Sequence, residues 1–176
     1  MKIKDQLLLD LLKESGPRLL AVLTRLTLDE QTAEDLLQEV FVRLCRMENP
    51  ARINHLEAYA CRIAIHLAFD DRRDRQKRKL FIARGGETEH QGGLGLTPED
   101  REQIERILDA AQTLEGSTRV CFTLRYIEQM DYAQIADQLE KTPKQVRALC
   151  SKAVQRIRRM MNQTSKCSVY KEANHG

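Results

Sequence analysis

The side chains best suited to chemistry in this sequence are cations and amides on one predicted helix near the C-terminus. Between Lys141 and Lys166 there are eight Lys or Arg residues and no Asp or Glu. The polar side of this helix carries Lys144, Arg147, Ser151, Lys152, Gln155, Arg156, Arg158 and Arg159. Apolar residues recur on its other side at helical spacing. Charges in this arrangement can contact phosphates while hydrogen-bonding groups face base edges, so the pattern predicts nucleic-acid binding.

Residues that could catalyse a reaction or hold a metal are scattered along the chain. The four histidines are His55, His66, His90 and His175, and the five cysteines are Cys45, Cys61, Cys121, Cys150 and Cys167. The sequence has no C-x-x-C, no phosphate-binding glycine loop, no H-E-x-x-H and no G-x-S-x-G. We therefore expect no enzymatic activity, no metal site and no cofactor. Four of the cysteines fall on or near apolar helical stripes and are expected to act as small core residues, whereas Cys167 lies in a polar tail.

Two capped helices joined by a short turn must position the basic face. Asp131 with Gln134, and Thr142 with Gln145, have the spacing of capping boxes. The turn between them falls at Glu140, a position where glycine is common. A basic amphipathic helix alone is usually a solvated surface, but two consecutive capped helices with one-sided charge favour a helix-turn-helix that enters a DNA major groove.

The distribution of charge is more informative than its total. The chain has 176 residues, 31% of them charged, and a net charge of +3. Basic residues cluster at Arg72–Arg84 and Lys141–Lys166, whereas Asp29–Glu57 and Glu87–Glu105 lean acidic. This asymmetry predicts a polyanionic partner at two separate places.

Helical periodicity runs through most of the chain and no convincing strand pattern occurs, so we predict an all-α protein. Five glycines near the middle indicate a flexible linker between two small helical domains. The predicted divisions are a first domain at 1–81, the linker at 82–96, a helix-turn-helix domain at 97–163 and a polar tail at 164–176. Within the first domain, Gly16-Pro17 is predicted to separate a helix at Ile3–Leu12 from another at Arg18–Thr27.

The N-terminal residues lack the long apolar run and cleavage site of a signal peptide. No stretch approaches the roughly 18 apolar residues that span a bilayer. We therefore expect a cytoplasmic protein.

Three segments in order resemble a known bacterial family. They are AEDLLQEVFVRL, EAYACRIAIHLAFDDRRDR and TRVCFTLRYIEQMDYAQIADQLEKTPKQVRALCSKAVQRI. Together they are similar to an extracytoplasmic-function (ECF) sigma factor, which consists of conserved regions 2 and 4. The part from Thr97 onward is most similar to the iron-transport branch. The resemblance implies an RNA polymerase sigma factor that recognises the −10 and −35 promoter elements. The alternative is a stand-alone helix-turn-helix regulator with an N-terminal dimerisation or effector domain.

The resemblance implies a polymerase-binding surface in the first domain. Asp35, Gln38 and Phe41 match a D-x-x-Q-x-x-F arrangement that docks on the clamp helices of the β′ subunit in the family. Glu39 is included with them as a candidate contact. Phe41 could instead be a core residue. The resemblance further implies contact with the β flap and control by an anti-sigma factor.

The resemblance also implies two DNA-binding sets. The −10 candidates are Tyr59, Arg62, His66, Arg72, Arg73 and Arg75. Tyr59 stands where the family commonly has Trp, and His66 where it has Asn; Tyr59 could equally pack in the core, and His66 could be an ordinary solvated or hydrogen-bonded histidine. The −35 candidates are Lys144, Gln145, Arg147, Ala148, Ser151 and Lys152. Aromatic and cationic side chains on an exposed helix can stack on unpaired bases and follow phosphates.

Overall fold

The chain consists of helices and turns, and no β-strand occurs at residues 3–82 and 95–172, the part that this computed structural model describes. The predicted all-α class is confirmed. Two compact units, Met1–Gly95 and Leu96–Gly176, contain the helices. The predicted linker at 82–96 lies almost wholly outside the described residues.

The first unit is a bundle of three helices: α1 at Ile3–Thr27, α2 at Glu30–Arg46 and α3 at Leu56–Ile82. A short 3₁₀ turn at Pro50–Arg52 joins α2 to α3. Each helix packs against the other two. Their shared core contains Leu19, Leu23, Leu26, Val40, Leu44, Ala60, Ala64, Ile65 and Phe69. Burial of these side chains, which removes apolar surface from water, holds α2 and α3 in place.

Helix α1 continues through Gly16-Pro17, so the predicted break is wrong. Proline lacks a backbone N–H, and its ring normally clashes with the Cβ of the preceding residue, which disfavours the helical conformation there. Gly16 has no Cβ, which removes part of that clash. The buried residues also continue across this point, from Leu11 to Leu19, so packing favours an unbroken helix.

Helix α2 begins at an N-cap that the chain reaches through a left-handed residue. Leu28 has φ of +58° and is buried, and Asp29 follows it in an extended conformation. The Asp29 carboxylate accepts the backbone N–H of Thr32 at 2.9 Å. The sharp turn and the cap together direct α2 back along α1.

The second unit contains α4 at Pro98–Ala111, α5 at Gly116–Phe122, α6 at Tyr132–Gln138 and α7 at Pro143–Glu172. A π-helical turn at Thr123–Ile127 follows α5. Helix α7 packs against each of the other three helices. It extends to Glu172, into the stretch predicted to be a polar tail.

One buried cation joins the ends of two helices in this unit. The Arg119 guanidinium donates to the carbonyl oxygens of Leu114 and Gln112 at 2.9 and 3.2 Å. These carbonyls follow the end of α4, where helical partners run out. Arg119 therefore fixes α5 against the end of α4, and α7 packs against both of these helices.

Candidate nucleic-acid interfaces

Both helices of the predicted helix-turn-helix begin with the capping boxes expected from the sequence. Asp131 accepts the Gln134 N–H at 2.8 Å, and Gln134 accepts the Asp131 N–H at 3.0 Å. Thr142 and Gln145 make the same reciprocal pair at 3.2 and 2.9 Å. These bonds satisfy backbone donors that would lack helical partners and fix where α6 and α7 start.

The turn between α6 and α7 is made without glycine. Glu140 itself takes the left-handed conformation, with φ of +52°. The Lys141 N–H then donates to the carbonyl oxygen of Ala136 at 2.9 Å, which closes the end of α6. An exposed glutamate therefore accepts the strain that glycine would have avoided.

Helix α7 separates its core side cleanly from its polar side. Val146, Cys150, Ala153 and Ile157 are buried. The six −35 candidates, all exposed, lie within less than half of the helix circumference: Lys144, Gln145, Arg147, Ala148, Ser151 and Lys152. The structure thus brings together the whole set on one face, where side chains can reach a groove.

Gln145 differs from the others because its side chain already has a structural role. Its amide oxygen accepts the Thr142 N–H at the start of α7. While the cap is kept, Gln145 can still contact a base through its amide nitrogen or through the second lone pair of the amide oxygen.

Tyr132, at the start of α6, was not among the predicted site residues. Its ring centroid lies 5.4 Å from the Arg147 guanidinium carbon and 4.7 Å from that of Arg125. Both distances are within the range of cation–π attraction. The contact depends on how α6 and the π-helical turn fold beside α7, so no local sequence pattern could have revealed it.

Helix α3 carries part of the −10 set on a second stripe. Tyr59, Arg62, His66 and Arg73 recur at helical spacing, and all four reach solvent at least in part. The Arg62 guanidinium carbon lies 5.4 Å from the centre of the Tyr59 ring. The Arg62 Nε is buried and has no hydrogen-bond partner among the described residues.

The other two −10 candidates point elsewhere on α3. Arg72 is only 9% exposed. Arg75 forms an ion pair with Asp71, with 2.6 Å between Nη2 and Oδ2, and both side chains are largely shielded from water. The structure therefore groups Tyr59, Arg62, His66 and Arg73, and separates Arg72 and Arg75 from them.

The polymerase-binding candidates lie on α2. Asp35 and Gln38 are exposed, while Glu39 and Phe41 are partly buried. Glu39 accepts from Arg43 at 2.9 Å along the same helix. Phe41 is thus neither fully in the core nor fully in solvent. Val42, which follows it, is 40% exposed and adds apolar surface that the sequence pattern did not single out.

The described residues contain no group of three or more His, Cys, Asp or Glu side chains placed to hold a metal ion. Burial raises the pKa of the Cys121 thiol to about 12, and the nearby Cys150 thiol contributes to the shift. Burial likewise raises the pKa of Cys150. Both sulfurs therefore stay protonated at neutral pH and are poor nucleophiles. The side chain of Cys167 lies outside those that the structure describes.

None of the helices in the described residues combines the length and apolar character needed to cross a bilayer.

Comparison with solved structures finds similar chains of low sequence identity. The sigma factor RpoE of Bartonella quintana, solved in complex with the anti-sigma factor NepR, is 17% identical with a TM-score of 0.45. That comparison covers 86% of this chain and 94% of RpoE. CnrH, solved with the cytosolic domain of CnrY, is 18% identical with a TM-score of 0.47, covering 90% of each chain. No curated protein sequence matches this chain.

Comparison with protein families matches both units in the order expected. The family model for sigma-70 region 2 matches residues 11–78, and that for sigma-70 region 4 matches residues 104–157. The first range contains the stripes on α2 and α3, and the second contains the helix-turn-helix. Together the matched ranges cover more than two thirds of the 176 residues. The chain belongs to the sigma-70 family and is an RNA polymerase sigma factor.

Proposed function

We propose that this sigma factor is of the ECF type, in which regions 2 and 4 supply all promoter and polymerase contacts. The support comes from the interval between the two matched regions, residues 79–103. This interval is shorter than the roughly 40 residues that a domain needs to fold without disulfides or metals. Within the ECF type, we propose the iron-transport branch, because the sequence from Thr97 onward resembles that branch.

Region 4 is proposed to read the −35 element through the outer face of α7. The observation that carries this assignment is the separation of the buried apolar side chains of α7 from its exposed polar side chains. All six candidate side chains are exposed, and no acidic residue interrupts the basic stretch from Lys141 to Lys166. Cations on this face neutralise phosphates, and Arg147 is placed in the first turns, where a recognition helix meets base edges.

Region 2 is proposed to capture the opened −10 element on α3. Tyr59 offers an aromatic ring, and the Arg62 guanidinium carbon lies 5.4 Å from the centre of that ring. An aromatic ring beside a cation can stack on an unpaired base and attract its phosphate. The same stripe includes His66 and Arg73, which extend it along the helix. Arg72 and Arg75 are proposed to support α3 from within the fold.

The exposed face of α2 is proposed to dock on the β′ clamp helices of RNA polymerase. Asp35 and Gln38 provide polar contacts there, and the half-buried Phe41 provides apolar surface between them and the core. Glu39 lies beside them, paired with Arg43. Region 4 is proposed to contact the β flap. An anti-sigma factor that covers these surfaces in the cytoplasm is the expected regulator, and the protein needs no cofactor and catalyses no covalent step.

The proposal is tested by mixing the purified chain with core polymerase and a supercoiled library of promoter templates. We expect a stable complex and transcripts that start at defined sites. Failure to bind core, or binding without any defined transcript start, would contradict the proposal that regions 2 and 4 supply all promoter and polymerase contacts.

The docking surface is tested with a double variant, Asp35→Ala and Gln38→Ala. It should weaken capture of core polymerase while the melting temperature stays unchanged, because both side chains are exposed. Asp137→Ala is a matched control, since it removes an exposed carboxylate from α6 in the other unit. A drop in melting temperature of the double variant would assign these residues to the fold instead.

A further inference from the structure

Three side chains from three separate elements meet beside the base-reading end of α7. Arg125 comes from the π-helical turn, Tyr132 from the first position of α6, and Arg147 from the second turn of α7. The guanidinium carbons of both arginines lie within 5.4 Å of the centroid of the tyrosine ring.

The ring is held in place by its surroundings. Tyr132 is half-buried and lies close to Tyr126, whose own ring is 5.3 Å from that of Phe122. Arg125 donates to the Met130 carbonyl oxygen at 2.8 Å, which holds its guanidinium near the ring. Because the capping box at Asp131 also sets the start of α6, the position of the ring beside Arg125 and Arg147 is determined by the fold.

Arg147 is the one member of the three that is exposed. A free arginine on a helix surface samples many rotamers, and this freedom is lost when the guanidinium makes two directed bonds to a base. Contact with a fixed aromatic ring restricts those rotamers before DNA arrives. A guanidinium attracted to a ring by its flat face keeps the N–H donors at its edge, so this kind of contact does not consume the groups that would read a base.

We propose that Tyr132 is a positioning residue for promoter recognition: it holds the Arg147 guanidinium in the orientation that reads one base pair of the −35 element. This inference rests on the proposed role of α7. Tyr132 acts through Arg147, and its ring rather than its hydroxyl carries the effect. The residue therefore determines how sharply one position is recognised, and contributes little to binding at the others.

Two other roles for Tyr132 predict different behaviour. A hydroxyl that contacts a phosphate would make binding to every sequence weaker when the hydroxyl is removed. A ring that only packs α6 against its neighbours would alter all positions together, through loss of the fold.

The test uses the full chain assembled with core polymerase. The wild type is compared with Tyr132→Phe, Tyr132→Leu, Arg147→Ala and the double variant that combines Tyr132→Leu with Arg147→Ala. Each holoenzyme selects from a promoter library randomised at the upstream element, and affinities are then measured for the best sequence and its single-base changes. Melting temperatures of the four variants are recorded alongside.

We expect Tyr132→Leu to lose about two- to fivefold in discrimination at one position, the range of an exposed cation–π contact. That position should be the one that Arg147→Ala also relaxes. The double variant should be no less selective there than Arg147→Ala alone, and Tyr132→Phe should keep the wild-type profile.

Several outcomes would overturn the inference. These are an unchanged profile in Tyr132→Leu, a uniform loss at all positions, a loss in Tyr132→Phe equal to that in Tyr132→Leu, and additive losses in the double variant. A wild-type holoenzyme that enriches no upstream motif would overturn the assignment of α7 itself, and this inference with it. The wild-type measurement therefore distinguishes failure of the Tyr132 proposal from failure of the role proposed for α7.

Discussion

The two helices that carry candidate DNA contacts, α3 and α7, use their surfaces differently. On α7 all six candidates are exposed, and the buried residues are confined to the opposite side. On α3 only Arg73 of the six candidates is exposed, Arg72 is buried, and three aspartates, Asp70, Asp71 and Asp74, are interleaved with the arginines. One helix presents a separate cationic face, whereas the other shares its residues between the core and the surface.

This difference fits the two kinds of DNA recognition proposed for them. A helix that reads an intact groove needs side chains that project from a stable core, and it can carry them without altering the fold. A helix that holds separated strands needs an aromatic surface and a rigid backbone under it, so residues at its interface also pack inward. Substitutions of the α3 candidates should therefore mix effects on stability and binding, whereas those of the exposed α7 candidates other than the capping residue Gln145 should affect binding alone.

The largest expected effect is that of Phe69→Ala, which tests whether α3 contributes to the core as well as to the surface. Phe69 is 1% exposed, and removing a buried phenyl ring should destabilise the protein by about 3–5 kcal/mol. Leu80→Ala on the same helix is the control, because Leu80 is 78% exposed and its loss should cost less than about 0.5 kcal/mol. Urea unfolding of both variants measures the difference; similar midpoints would contradict the position of Phe69 in the core.

The next effect concerns binding rather than stability. Arg147→Ala should cost about 1–3 kcal/mol for the sequence with the preferred base and relax specificity at one position of the −35 element. Its melting temperature should be unchanged, because the side chain is exposed. Filter binding of the holoenzyme to single-base variants gives the comparison.

Lys152→Ala is the companion to that variant on the same face. If Lys152 contacts phosphate, binding weakens equally for all sequences and the slope of log affinity against log salt falls by about 1. An equal loss on every sequence for Arg147→Ala as well would show that Arg147 too contacts only the backbone.

A smaller effect is expected at the shielded ion pair of α3. Asp71→Asn leaves the Arg75 guanidinium without its partner carboxylate, and we expect a loss of about 1–2 kcal/mol in the free energy of unfolding. Asp74→Asn removes a comparable but exposed pair with Lys77, at 3.7 Å, and should cost about 0.5 kcal/mol or less. Equal losses in the two variants, measured by denaturant titration, would remove the distinction between shielded and solvated charges on this helix.

The smallest effect is expected at the start of α7. Thr142→Ala removes the hydroxyl that accepts the Gln145 N–H and should destabilise the protein by about 1 kcal/mol. Ser151→Ala, in the exposed middle of the same helix, should be nearly neutral in thermal unfolding. Because the cap also holds Gln145, any change in base preference for Thr142→Ala would link the cap to recognition.

Much of the fold could be predicted from local patterns in the chain. The all-α class and the capping boxes at Asp131 and Thr142 follow from short-range spacing, and the structure contains them. The predicted break at Gly16-Pro17 failed because the rule considers only the backbone, whereas the buried face of α1 continues on both sides of the proline. Tertiary packing outweighed a local preference there.

The candidate sites divide in the same way. The exposed face of α7 could be predicted because charge and apolar residues alternate at one helical period. On α3 that period could not show that Arg72 turns inward or that Arg75 pairs with Asp71, because these outcomes depend on neighbouring helices. The meeting of Tyr132 with Arg147 depends on two elements folding side by side, so only the structure could reveal it.

The left-handed backbone at Glu140 restricts which amino acids natural variation can place there. Gly, Asn and Asp enter this conformation at little cost, whereas Val, Ile and Thr, with branching at Cβ, are strongly disfavoured. The exposed side chain at this corner imposes no demand of its own for shape or charge. Homologous chains that keep the same angle between the two helices should therefore vary freely in polarity at this position while avoiding β-branched residues.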